Sequence, residues 1–144
     1  MKVREIHLYH VCMPLLEPWV TAYGSQDNIE SLFVNLKFDS GDGWGECAPA
    51  PLPLYNSEYT KGAFAAAHDV FAPRIVGREI SSADQLQSLF QEFKGHEFTR
   101  SAFDSAWWDA HALACNNPYG HLLAVLIKPF QLVRISQFCP VLLL

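Results

Sequence analysis

Polar and apolar residues alternate at the start of this chain. From Lys2 to Pro14, Val3, Glu5, His7, Tyr9, Val11 and Met13 fall on one side, and Arg4, Ile6, Leu8, His10 and Cys12 on the other. That two-residue period is the signature of a strand. A second alternating run, Ser31 to Phe38, leads into Asp39-Ser40-Gly41-Asp42-Gly43, whose S-G and D-G dipeptides suit a tight hairpin turn. A third strand is predicted from Trp44 to about Ala48. Pro49, Pro51 and Pro53 end it, because each removes a ladder donor and fixes its own backbone angle. The first third therefore reads as a three-stranded antiparallel meander.

The period then becomes helical. Asn56-Ser57 offers an N-cap for an Ala-rich helix from Glu58 to Phe71, with Pro73 and Gly77 as the following stop signals. Ser81 or Ser82 with Asp84 or Gln85 makes a capping box, and Leu86, Leu89, Phe90 and Phe93 follow at helical spacing. Thr99 is placed to cap a third helix, whose stripe is Ala102, Phe103, Ala106, Trp107, Ala110 and Leu113, with Arg100, Asp104 and His111 off it. Strands followed by helices predict an α+β fold, a meander followed by a three- to four-helix bundle.

One connection exceeds what a hairpin needs. Leu16 to Ile29 reads as a long loop, and such loops are either functional or disordered. Trp19 and Tyr23 argue for order, since each large ring is worth roughly 2 kcal/mol on burial. The apolar, stiff segment Pro49 to Tyr55 stands just beyond a strand end and suits a wall that presents Leu52 and Tyr55 to a ligand or partner. The plain alternative for both segments is that they cover the domain's own core.

Composition narrows the function classes. Half of the 144 residues are apolar and 13% aromatic, enough for one domain with its own core. A formal charge of -5, spread without blocks, leaves no basic stripe for a phosphate backbone, so nucleic acid is not an expected partner. The N-terminus carries no signal-peptide core, which predicts a cytoplasmic protein. Cys12, Cys47, Cys115 and Cys139 form no C-x-x-C pair and are expected to be buried, reduced thiols. The six histidines are scattered over different elements, and no G-x-S-x-G elbow or phosphate-binding glycine loop is present. From the residues alone, neither a metal site nor a nucleophile is expected.

Taken in order, MKVREIHLYHVCMPL, EPWVTAYG, GDGWGECAPAPLPLY and EFTRSAFDSAWWDAHALA resemble the N-terminal capping domain of the mandelate racemase/muconate lactonizing branch of the enolase superfamily. Within it the chain looks most like the o-succinylbenzoate synthase and N-acylamino acid racemase group, an involvement with menaquinone biosynthesis being one implication. The resemblance covers residues 1–123. It implies a cap that closes over a TIM barrel, excluding water from a small carboxylate substrate. The cap's first loop matches Leu16 to Asn28 and its second Pro49 to Tyr55, so Trp19, Tyr23, Leu52 and Tyr55 are the implied substrate-contacting residues, acting by packing.

No catalytic residue is expected in this chain. The family's lysines and its magnesium ion belong to the barrel, which needs about 250 residues. Glu46, matching the acid of G-x-G-E, is read as a structural hydrogen-bond acceptor. Asp104 and Asp109, five apart, are read as packing and capping residues.

Asn117 to Leu123 still resembles the entry to the barrel. The unmatched tail, 124–144, carries Ala124-Val125 where Gly-Gly is expected and reads as truncated or frameshifted sequence. Lys128, Pro129 and Arg134 interrupt it, so it is not expected to span a membrane, which takes about 20 apolar residues. Three readings follow: an orphaned cap inactive alone, half of a split enzyme completed in trans by a barrel chain, or a binding module that uses its aromatic segments. Exposure of Trp19, Pro51 and Leu52 would also favour self-association.

Overall fold

The structure is a computed structural model that describes residues 1–124. The expectations for the tail and for Cys139 lie outside the described residues. Three strands, β1 (Val3–Thr21), β2 (Gly24–Phe38) and β3 (Gly41–Cys47), form an antiparallel sheet in the order β1-β2-β3. Helices follow: α1 (Thr60–Ala66), a π turn (Ala67–Phe71), α2 (Ala72–Ile75), α3 (Ala83–Phe90), α4 (Glu97–Ala114) and α5 (Tyr119–Ala124). Because α1, the π turn and α2 are continuous, the helices make four rods, and the α+β architecture is the one the alternation predicts.

Strict alternation fails at one place in β1. Val3 pairs with Phe38 and Glu5 with Lys37, so Arg4 is an extra residue, a bulge that reverses the side-chain phase. Val3 is therefore in the core, on the same face as Ile6 and Leu8 rather than with Glu5 and His7. Arg4 turns outward and grips Asp39 with two hydrogen bonds, Nε to Oδ1 at 2.6 Å and a second guanidinium nitrogen to Oδ2 at 2.8 Å. This fork ties the strand's start to the hairpin turn at Asp39-Ser40.

On β2, Leu32, Val34, Leu36 and Phe38 face the helices and are buried. Their cross-strand partners on β3 are Cys47, Gly45, Gly43 and Gly41. The glycines permit a very close approach: a Cβ on Gly45 would stand 1.9 Å from the Ala102 carbonyl oxygen, and one on Gly43 2.0 Å from that of Ala106. Helix α4 thus lies directly on β3 through Ala102, Ala106 and Ala110. Asp109 reinforces the contact by accepting the Trp44 backbone N–H at 2.9 Å. Beyond the sheet, Phe71 packs edge-on against Phe90 with centroids 4.8 Å apart, and Phe103 completes the cluster.

Local signals hold with shifts. The first helix begins at Thr60, not Glu58, because the Asn56 side chain folds back to accept the Glu58 N–H at 2.9 Å and makes a turn ahead of it. It also continues through Pro73; the π turn just before it opens the backbone where proline supplies no donor. Gly77, at φ 79°, ends the rod in the left-handed region. Ser82 caps α3 by accepting from Gln85 N–H at 3.1 Å, while the Gln85 carboxamide accepts from Ser81 N–H at 2.7 Å. Helix α4 starts before Thr99, and Leu113 is 64% exposed while Ala112 is buried, so the predicted stripe breaks at its last member.

Candidate functional site

Residues 16–29 are not a loop: β1 and β2 continue as a paired ribbon to a two-residue turn at Ala22-Tyr23. Pro14 pairs with Asn28 and Trp19 with Gln26, so the intervening residues of β1 bulge out against the single residue Asp27. Alternation broke in the sequence at this bulge, where Pro18 lacks an N–H. An edge strand tolerates that loss, since its outer groups need no ladder partner. Thr21 Oγ1 pins the turn, donating to the Gly24 carbonyl at 3.2 Å and accepting the Tyr23 N–H at 3.1 Å.

The segment after β3 folds against this ribbon. Tyr23 meets Tyr55 edge to face, with centroids 6.0 Å apart and planes at 73°. Between them opens a concavity of about 830 Å³, lined by all four residues that the resemblance singled out, Trp19, Tyr23, Leu52 and Tyr55. They remain 57–76% exposed, so they do not close the domain's own core.

Several residues of the site went unnoticed in the sequence. Gln26, Asn28 and Glu30 continue the even-numbered phase of Leu32 and Val34 and line the concavity. Following β2's period back through the supposed loop would have found them. Glu30 also receives His10, Nε2 to Oε2 at 2.8 Å. Phe98, at the start of α4, lines the far side.

Two buried polar residues fix the wall. Thr60 Oγ1 donates to the carbonyls of Ala50 at 3.0 Å and Glu30 at 3.2 Å, and its N–H also reaches Ala50. Ala50 itself sits at φ 80°, a left-handed conformation that a non-glycine residue holds only when its surroundings dictate it. Glu58 accepts from Phe98 N–H at 2.8 Å, Thr99 N–H at 3.1 Å and Thr99 Oγ1 at 3.0 Å. The cap of α4 is therefore Glu58, from another element, and not Thr99.

Asp104 accepts from Gln87 Nε2 at 3.0 Å and Asp109 from Trp44, the packing roles expected of them. Glu46, read as a structural hydrogen-bond acceptor, is exposed on the outer face of the sheet opposite Phe33. Cys12 and Cys115 are exposed, against expectation, because the first lies on an edge strand and the second just past the end of α4. Cys47 is buried, and burial foremost, then the negative charges of Glu58 and Glu46, push its thiol up to about 12. Among the described residues there is no group of three or more His, Cys, Asp or Glu side chains that could hold a metal ion. Among them, too, no helix is long and apolar enough to cross a membrane.

A meander topped by α4, with a ribbon and a wall enclosing an aromatic hollow, is the capping module of the enolase superfamily. The chain belongs to the mandelate racemase/muconate lactonizing enzyme N-terminal domain family, whose model matches residues 3–124. It is 35% identical over 114 residues to an N-succinylamino acid racemase of Amycolatopsis, covering 79% of this chain and 31% of that protein. To an o-succinylbenzoate synthase of Listeria innocua it is 31% identical over 113 residues, 78% of this chain and 30% of the other. A solved enolase-superfamily structure from Listeria innocua superposes with a TM-score of 0.81 at 28% identity, over 85% of this chain and 33% of that one. The substrate-liganded L-Ala-D/L-Glu epimerase of Bacillus subtilis does so with 0.75 at 26%, over 85% and 34%. The chain spans about a third of the length of these relatives.

Proposed function

We propose that residues 1–123 are the substrate-capping domain of an o-succinylbenzoate synthase or N-acylamino acid racemase-like enzyme. Trp19, Tyr23, Leu52 and Tyr55 close over a small carboxylate substrate and exclude water from it. The proton-transferring groups and the magnesium site lie on a barrel that the described residues do not contain, so these residues alone turn nothing over. The observation that carries this reading is the Tyr23–Tyr55 contact, which joins ribbon and wall above one open hollow of ligand size. The exposed rings suit a barrel surface, and without one they favour self-association.

The test has two arms. Purified chain with magnesium is assayed against N-succinyl amino acids and the precursor of o-succinylbenzoate, with no turnover expected. Then residues 1–123 replace the cap of the Amycolatopsis racemase, and an active chimera is expected whose KM rises about tenfold on Trp19→Ala or Tyr55→Ala. Turnover by the chain alone would refute the inactivity. A chimera indifferent to both substitutions would refute the capping role.

A further inference from the structure

The hollow under the cap has a charge character that its aromatic rim does not reveal. Its acidic members are Asp27 and Glu30, its neutral polar members include Gln26 and Asn28, and among the described residues no lysine, arginine or histidine lines it. Glu30 shares the even-numbered face with Gln26 and Asn28, so an anionic group placed there would meet its carboxylate, which His10 holds on one side, inside walls that exclude part of the solvent. A cation meets the opposite situation. Trp19, Tyr23 and Tyr55 present ring faces and edges around the opening, and aromatic faces attract ammonium and guanidinium groups through the ring quadrupole. Glu30 keeps one side engaged by His10, which sits behind it on β1, while Asp27 stands exposed opposite the β1 bulge.

We propose that the hollow receives a cationic group, an ammonium or guanidinium carried on an aliphatic stem, with the stem against Leu52 and the aromatic rings and the charge toward Glu30. This rests on the capping reading and specifies its substrate: the end enclosed by the cap is a basic side chain, and the substrate's carboxylate end points out of the hollow. Such a stem-and-head shape matches the lining, apolar on the wall side and polar along β2.

The test uses the full chain and three probes of six carbons each: hexylammonium, hexanol and hexanoate. Ring NMR signals of Trp19, Tyr23 and Tyr55 are followed during titration. Hexylammonium is expected to bind about tenfold more tightly than hexanoate, a preference that Glu30→Gln should abolish. Equal or tighter binding of hexanoate, or a preference that survives that variant, overturns the proposal. If hexanol moves the rings as strongly as hexylammonium, the charge preference falls while the capping role stands. If none of the probes moves them, the proposal falls, and the chimera's response to Trp19→Ala decides the capping role separately.

Discussion

Glu58 and Thr99, 41 residues apart in sequence, meet through two hydrogen bonds: the Thr99 N–H reaches Glu58 Oε2 at 3.1 Å and the Thr99 hydroxyl reaches the same oxygen at 3.0 Å. The other oxygen takes the Phe98 N–H. One carboxylate thus ends the wall of the hollow and starts the helix that lies on the sheet, satisfying backbone donors that a helix leaves open in its first turn. Glu58→Ala should lower stability by about 2 kcal/mol, since hydrogen bonds to charged groups are worth about 1.5–3. Urea denaturation checks it, and a loss under about 0.5 kcal/mol would show that another group caps α4.

Gly45→Ala tests the seating of α4 on β3. The added Cβ would lie 1.9 Å from a main-chain oxygen, and backbone cannot rotate out of the way as a side chain can. A loss of about 3 kcal/mol or more, or failure to fold, is the expected outcome. Far-UV circular dichroism through a thermal melt would read it, and a wild-type melting curve would contradict the close approach.

Phe71→Ala removes the ring shared by Phe90, Phe93 and Phe103. Truncating a fully buried phenylalanine costs about 3–5 kcal/mol, a large part of a small domain's stability. Tyr55→Ala provides the contrast. That ring is 76% exposed, so stability should change by less than about 0.5 kcal/mol while the hollow loses a wall. Equal losses in the two variants would mean that the tyrosine belongs to the core.

The cysteines should separate by reactivity. Cys12 and Cys115 are open to alkylation in the folded chain, whereas Cys47 should remain unmodified near neutral pH until the protein unfolds. Mass spectrometry after a short iodoacetamide pulse distinguishes them, with early labelling of Cys47 as the contrary result.

Cys47 also gives a pH dependence with a definite sign. Its folded-state pKa is raised from 9.0 to about 12, so between those values the unfolded chain has lost this proton while the native one keeps it. Stability contributed by this group is complete below about pH 9 and falls as pH rises, by up to about tenfold in the folding constant per pH unit. Cys47→Ala should flatten that alkaline slope in a denaturation series. At the acid end, the Arg4 guanidinium holds the Asp39 carboxylate below its usual range through their hydrogen bonds. The contribution of that pair is present above about pH 4 and disappears as pH falls through the lowered value.

Most of the fold was legible in the chain because the controlling signals are local. The alternation of Ser31 to Phe38, the Asp39-Ser40 turn, the Ser82–Gln85 box and the small-residue stripe of α4 each act over a few positions, and all appear in the structure. The tightest errors arose where local signals conflict. Alternation was lost at the bulge around Pro18, so a paired ribbon read as a loop, and the bulge at Arg4 reversed a phase that counting by twos could not detect. Trp19, Tyr23, Leu52 and Tyr55 came forward as large rings and apolar groups in polar or proline-rich company. Phe98 and Glu58 did not, because their roles depend on elements about 40 residues away.

By itself the amino-acid order determined the meander, the helices that follow it and the aromatic residues with no local place to be buried, because period, proline and capping chemistry operate between neighbours. Only the tertiary structure decided that ribbon and wall meet at Tyr23 and Tyr55, that Thr60 clamps Ala50 to Glu30, and that a carboxylate from before α1 caps α4. Those contacts depend on the twist of the sheet and the angle at which α4 crosses it. Such quantities are set by the packing of many side chains at once, and no short stretch of sequence carries them.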